Sequence, residues 1–477
     1  MRTSLSESAK LEKNLQCTYS LQSVLLMAAF LTLFVPLYTI SASSRLIATD
    51  HNRIIWKMVV QRPLETIVQR PTPFPLPIPD QISPKVHSVR IPSLPESHLT
   101  YCLNVHPGAS PEETRRAVFQ SAPDVFQHLE AKTPIASPRG IGLWLPDAVS
   151  REWNNNDALL QWKDQLDEAG LYVPTMNGFP YGTFHGRRIK QDVYRPDWSD
   201  SARIEYTIRL AEILARLLPE GIDGTISTLP VTYREWGDPD RIGAAADGLI
   251  QVVRHLRRLE VETGRVVRLA IEPEPDCWID DVESVVRFWA FMRERLSSAD
   301  ADADAWERYA GLCLDTAHVA ALFEDPLEVL DVLRRESIPI HKMQISAVPE
   351  VPVGADPKTT LALFQDEIYL HQTCLLESTG EKTRYPDLDV ALADHDSSSD
   401  TVWRTHFHVP LTWRPEPPLR TTTDLISPRF LRQAYEDGVR HFELEVYCLG
   451  LMLPNEDAVH DMLASDLAEL MRRFEAI

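Results

Sequence analysis

The 477-residue chain predicts an α/β protein whose folded part is a single (β/α)8 barrel, the TIM-barrel architecture. Three observations predict it. Apolar runs of strand length recur from residue 100 onward, helical patterns with defined starts lie between them, and polar residues gather where the strands end. The composition, 44 % hydrophobic and 25 % charged, is that of a globular protein and excludes a wholly disordered or many-span membrane chain.

The strands come first. TYCLNV at Thr100, GIGLWL at Gly140, LYVPTM at Leu171, GTISTL at Gly224, VVRLAI at Val266, GLCLD at Gly311 and HKMQIS at His341 are each short enough for a buried parallel strand. Two further candidates, THFHVPL at Thr405 and HFELEVY at His441, compete for the eighth place. Ser427-Pro428 opens a helix just before HFELEVY, which takes the place. THFHVPL then belongs to a long excursion, about 349–415, that includes the polar DHDSSSD stretch at Asp394. Excursions of that length inside a compact domain are commonly functional or disordered.

Between the strands, Ser110-Pro111-Glu112-Glu113 and Asp325-Pro326-Leu327-Glu328 are helix starts, each with a capping residue followed by proline at the first helical position. Leu159, Trp162, Leu166 and Ala169 share one helical face that stops at Gly170, and Val282, Val285, Trp289 and Met292 form another. Both stripes read as core.

The domain organisation is an N-terminal extension, 1–97, followed by the barrel, 98–477. In the extension, Leu21 to Ile40 reads LQSVLLMAAFLTLFVPLYTI, nearly uncharged and about 20 residues long, enough for one membrane span. As an export signal or anchor it gives membrane association and an anchored or exported protein; if translation begins downstream, the protein is cytoplasmic. Over 71–95 prolines recur, with Pro71, Pro73, Pro75, Pro77 and Pro79 alternating, which favours an extended linker and forbids a helix. Six cysteines without a CxxC pair indicate neither a zinc ribbon nor a disulfide framework.

The formal charge of −21 is uneven: 10 Lys/Arg against 6 Asp/Glu before residue 98, 38 against 63 after it. Such a surface repels phosphate backbones, so nucleic acid is not an expected partner.

In a barrel of this kind the C-terminal strand ends build the site. Strand one ends in Asn104 and His106, strand three in Asn177, strand five in Glu272 and Glu274, strand six in Asp315 followed by His318, and strand eight in Glu443 and Glu445. Residues two apart on a strand share a face. Carboxylates converging from strands five, six and eight repel one another unless a cation or shared protons neutralise them, and a divalent metal is the economical answer. Each residue alone has a plainer reading: a salt-bridged rim carboxylate, or a hydrogen-bonded structural histidine.

LAIEPEP at Leu269, CLDTAH at Cys313 and FELEVY at Phe442 resemble the strand-five glutamate, strand-six Asp-x-x-His and strand-eight glutamate of the xylose isomerase-like sugar isomerases and epimerases. The likeness covers roughly residues 99 to 477. Within that family VPTMNGFPYGTFHG at Val173, VYRPDW at Val193, YLHQT at Tyr369, WRTHFHVPL at Trp403 and ELEVY resemble the barrel proteins of bacterial ebo-type metabolite-traffic gene clusters. The resemblance implies that Glu272, Asp315 and one of Glu443 or Glu445 hold a divalent ion (Mn, Mg or Zn), with His318 near the substrate. It also shows a departure: the family usually places a metal-binding histidine on strand seven, where this chain offers Gln344. His406 and His408 restore an imidazole if the excursion folds back over the mouth.

The expected reaction is isomerisation or epimerisation of a small polyhydroxylated carbonyl compound through an enediolate, with Glu272 and Glu445 removing and returning a proton and His318 assisting. Asn104, His106, Asn177, His185, Glu274, Gln344 and His406 are the substrate-binding candidates; Glu272, Asp315, His408, Glu443 and Glu445 are the metal-binding ones. Arg187, Arg188 and Lys190 form either an anion site or a solvated loop. Two other functions stand: a carrier that holds a lipophilic metabolite without catalysis, and a metal-dependent hydrolase.

Overall fold

The structure, a computed structural model, describes residues 94 and 96–476 except 155, 184, 187, 297–300 and 395–399. The apolar segment 21–40 and all of the Pro-rich stretch but Leu94 lie outside the described residues. Among those described, no helix is long and apolar enough to cross a membrane.

The first seven strands are β1 (His98–Tyr101), β2 (Arg139–Trp144), β3 (Leu171–Asn177), β4 (Gly224–Thr228), β5 (Val267–Ile271), β6 (Ala310–Asp315) and β7 (Ile340–Ile345). An excursion then carries β8 (Pro349–Val351), β9 (Thr373–Glu377), β10 (Lys382–Tyr385), β11 (Thr401–Thr405) and β12 (Arg420–Thr421) before β13 (His441–Leu444) completes the barrel. The eight-stranded parallel sheet runs β1-β13-β7-β6-β5-β4-β3-β2, and a parallel bridge between Cys102 and Gly142 brings its two edges together. Every strand expected for the barrel is present, HFELEVY in the eighth place.

Helix starts follow the local signals. Ser110 Oγ accepts from Glu113 N while the Glu113 carboxylate accepts from Ser110 N, closing a capping box around Pro111. Asp325 caps the helix Pro326–Arg335 and Ser427 caps Pro428–Glu436. Gly170 ends its helix with φ +64°, the left-handed turn that glycine adopts without strain. Leu159, Trp162 and Leu166, like Val285, Trp289 and Met292, are buried in the core that these stripes were expected to serve.

The excursion holds a second sheet that periodicity alone did not reveal: five strands, order β10-β9-β11-β8-β12, antiparallel in every pairing. Its strands are two to five residues long, too short to carry a legible alternation. THFHVPL divides: Thr405 ends β11, and His406 to His408 leave the sheet toward the barrel. His406 N donates to Gln372 O, and Val409 pairs with Ala347 just past β7, which fixes the turn.

Candidate active site

Glu445 lies just beyond β13 and is held from two sides. Asn104 Nδ2 and Asn177 Nδ2 donate to its Oε1 at 2.8 and 2.9 Å. Asn177 is the last residue of β3, and Phe179 N donates to its Oδ1 at 3.0 Å, which fixes the amide with its NH2 toward Glu445. Asn104 sits in a 3-10 turn, Leu103–Val105, that begins after β1.

β5 ends at Ile271, and Glu272-Pro273-Glu274 follows it into the mouth. Tyr194 OH donates to Glu274 Oε1 at 2.7 Å, and Glu274 Oε2 stands 3.8 Å from His318 Nε2. His318 Nδ1 donates to Pro273 O at 2.6 Å, tying strand six to strand five. Asp315 caps the helix Thr316–Ala321 through one oxygen, Ala317 N to Oδ1 at 2.6 Å, and its other oxygen has no hydrogen-bond partner.

The excursion supplies the rest. His406, His408, Tyr369 and Leu370 line a cavity with Asn104, Asn177, Glu272, Glu274, His318 and Glu445, enclosing about 50 Å³. His185 joins the two sides of the rim, one ring nitrogen 2.6 Å from Tyr369 OH and the other 2.6 Å from Asn104 O. One nitrogen of His408, an oxygen of Asp315 and an oxygen of Glu445 lie within 4.8 Å of one another. A second such group is Glu272, Glu274 and His318, and a third is His318, His406 and His408.

Burial pushes the Glu272 carboxyl well above its usual range, and Glu445, Asp315 and Glu274 add to the effect. Glu445 is raised in the same way, by burial and then by Asp315 and Glu443. Burial also raises Glu274. These carboxyls therefore hold protons or share a cation. Orphaned buried atoms favour the cation: Glu272 Oε2 and Asp315 Oδ2 find no donor at all. Oxygen donors with an imidazole beside them suit a divalent ion, so the residues present fit one.

Some expected site residues lie elsewhere. Glu443 shares a face with Glu445 but sits one layer deeper, where Lys342 Nζ lies 2.5 Å from its Oε1 and Thr100 Oγ1 donates to its Oε2 at 3.2 Å. It joins none of the ligand groups, and Glu445 is the strand-eight carboxylate at the cavity. Gln344 is at that deeper level too: it pairs in register with Asp315 and Glu443, accepts from Cys313 Sγ at 2.9 Å, and does not line the cavity. His106 fails for a different reason. The 3-10 turn after β1 breaks the two-residue alternation, and His106 turns outward to Tyr101 OH and the His460 ring. Of the basic trio, Arg187 lies outside the described residues, Arg188 is exposed, and Lys190 is committed to Asp387 at 2.7 Å.

Sequence reasoning missed Lys342, Tyr194 and Gln372. Lys342 was visible as a lysine inside an apolar strand, a position that demands a buried partner. Tyr194, which lines the cavity, and Gln372, which bonds Tyr194 and His406 behind its wall, carried no such signal, since both lie outside the barrel strands.

No family model matches the chain, and no curated protein matches it. Solved structures similar to it include a xylose isomerase-like TIM-barrel protein from Mycobacterium smegmatis in complex with magnesium, at 14 % identity and TM-score 0.40, covering 78 % of this chain and 97 % of that one. A putative xylose isomerase from Rhodospirillum rubrum gives 12 % identity, TM-score 0.42, and coverage of 80 % and 99 %. The probable 3-DHS dehydratase AsbF of Bacillus anthracis gives 11 %, 0.39, and 78 % and 98 %. Likeness this distant leaves chemistry and ligand to be read from the chain's own residues.

Proposed function

We propose that the chain is a metal-dependent isomerase or epimerase acting on a small polyhydroxylated carbonyl compound. The observation that carries the reading is the set of buried carboxylates Glu272, Asp315 and Glu445 at the strand ends, of which Glu272 and Glu445 line the cavity, with two oxygens, Glu272 Oε2 and Asp315 Oδ2, that no donor in the protein satisfies. A divalent cation bound there, manganese, magnesium or zinc, supplies Lewis acidity and attachment for substrate oxygens.

The protein's own groups supply the rest. Glu272 removes the proton from the substrate carbon and Glu445 returns one, two buried carboxyls that both line the cavity. Asn104 and Asn177 hold Glu445 in place. Glu274, with His318 beside it, meets the substrate's hydroxyl groups, and His185 and Tyr369 close the rim above it.

A carrier role is the second reading, favoured by Gln344: the strand-seven position of the usual imidazole is occupied by an amide turned toward Cys313. A place in metabolite traffic is a finer proposal that rests on the motif resemblance alone. The acidic balance argues for a small-molecule rather than a nucleic-acid partner. Location, whether cytoplasmic, anchored or exported, turns on residues 21–40.

The test is solvent exchange. With divalent ion present, a panel of aldoses and ketoses in D2O should show deuterium entering the carbon next to the carbonyl for the best substrate, and Glu272→Gln should abolish it. Ligand-induced stabilisation without exchange for any member of the panel would move the carrier reading ahead.

A further inference from the structure

Three imidazoles meet at the cavity wall, and hydrogen bonding dictates which ring nitrogen of each carries a proton. His318 Nδ1 faces Pro273 O at 2.6 Å; a carbonyl only accepts, so this nitrogen is protonated. His408 Nδ1 faces Glu445 O at 3.0 Å and is protonated by the same reasoning, with Ser346 Oγ beside it at 2.9 Å. For His406 the decision passes through Gln372. The Gln372 NH2 donates to Pro275 O at 2.9 Å, which turns Oε1 toward His406 Nδ1 at 2.8 Å and makes that nitrogen the donor.

With its proton on Nδ1, each ring when neutral offers a bare Nε2 lone pair. One nitrogen from each of the three rings lies within 4.8 Å of the others, and the Nε2 atoms of His406 and His408 are 3.0 Å apart. With both Nδ1 protons committed to acceptors behind the rings, no hydrogen is left to bridge those two lone pairs. Two nitrogens bound at about 2.0–2.1 Å to one tetrahedral zinc stand roughly 3.3 Å apart, close to the spacing found. The carbonyl and amide acceptors behind each Nδ1 are the outer support that metal-binding histidines ordinarily have.

We propose that this pocket takes a second divalent cation, of the borderline-soft zinc type, on the Nε2 atoms of His318, His406 and His408. Glu274 Oε2, 3.8 Å from His318 Nε2, is the nearest carboxylate oxygen to complete it or to yield to substrate. His408 belongs to both ligand groups, so when the imidazole ion takes it the first ion keeps Asp315 and Glu445. The inference rests on the reading of the cavity as a metal site, and not on the reaction assigned to it.

Full-length protein stripped with a chelator and titrated calorimetrically with zinc should bind two ions per chain, and magnesium, which prefers oxygen donors, only one. Cobalt(II) should give the intense visible absorption of a tetrahedral site. His406→Gln and His318→Gln should each lose that absorption and one zinc while keeping the magnesium site; Asp315→Asn should keep the absorption. One zinc per chain in the wild type, or unchanged stoichiometry and spectrum in both histidine variants, overturns the second ion and leaves the carboxylate ion standing. No binding of any ion by the wild type overturns both. The wild-type stoichiometry decides the matter even if one variant fails to fold, which circular dichroism in chelator would reveal.

Discussion

Lys342 Nζ lies 2.5 Å from Glu443 Oε1, and neither side chain touches solvent. The pair sits inside the barrel beneath the cavity, with Ser227 Oγ 3.2 Å from Nζ. Its attraction holds the Lys342 ammonium well above its usual pKa against the opposing effect of burial, so this lysine stays charged.

Removing one partner leaves an uncompensated buried charge. Lys342→Met should therefore destabilise the fold by about 3–5 kcal/mol in urea unfolding, while Lys342→Met with Glu443→Leu should recover a large part of the loss. A double variant as unstable as the single one would mean that the pair is not what Lys342 contributes.

Gly142 is the companion test of where Glu443 points. A Cβ there would stand 1.6 Å from Glu443 Oε2, a carboxylate already fixed by Lys342 and Thr100. Gly142→Ala should cost about 1–3 kcal/mol through overpacking, and Glu443→Gly in the same chain should relieve the clash even as it strands Lys342. Melting with coupling near zero between the two changes would contradict the placement.

Glu324 gives a pH prediction. Burial pushes its carboxyl up to about 7 from the ordinary 4.5, although Val282 N donates to it. Between these values the folded protein holds a proton that the unfolded chain has lost, so stability falls as pH rises from about 4.5 to about 7. The wild-type protein should lose on the order of 2–3 kcal/mol over that window relative to Glu324→Gln, measured by urea unfolding at each pH. Parallel pH profiles for the two proteins would refute it.

Much of this was legible in the sequence because it is local or periodic. The eight barrel strands, the Ser110 capping box and the acidic strand ends Glu272, Asp315 and Glu445 are each written in a few adjacent residues. What was not legible depends on depth and on chain path. Alternation put Glu443 and Glu445 on one face, but not which one reached the cavity. Gln344 was placed at the mouth by the resemblance, but it stands in register with Glu443, one level deeper. The turn at Leu103–Val105 carried His106 away, and the short antiparallel sheet that brings His406 and His408 inward left no pattern of its own.

Metal should also act on stability. An ion that binds the folded protein alone adds about 2.7 kcal/mol at a free concentration about 100 times its Kd. Unfolding in urea with saturating manganese or zinc, against the same protein in chelator, should show a gain of that order. Equal midpoints would show that protons and not a cation neutralise Glu272 and Glu445.

The most direct test of the account is calorimetric titration of the wild type and Asp315→Asn with manganese, magnesium and zinc. The substitution keeps the side chain's shape and the Oδ1 acceptor for Ala317 N, and removes one charge beside Glu445 and His408. Loss of an outer-sphere partner alone costs a metal site about 10–100-fold, so loss of a ligand should weaken magnesium binding by no less, with the barrel still folded. A wild type that binds none of the three ions, with Asp315→Asn merely less stable, would contradict it.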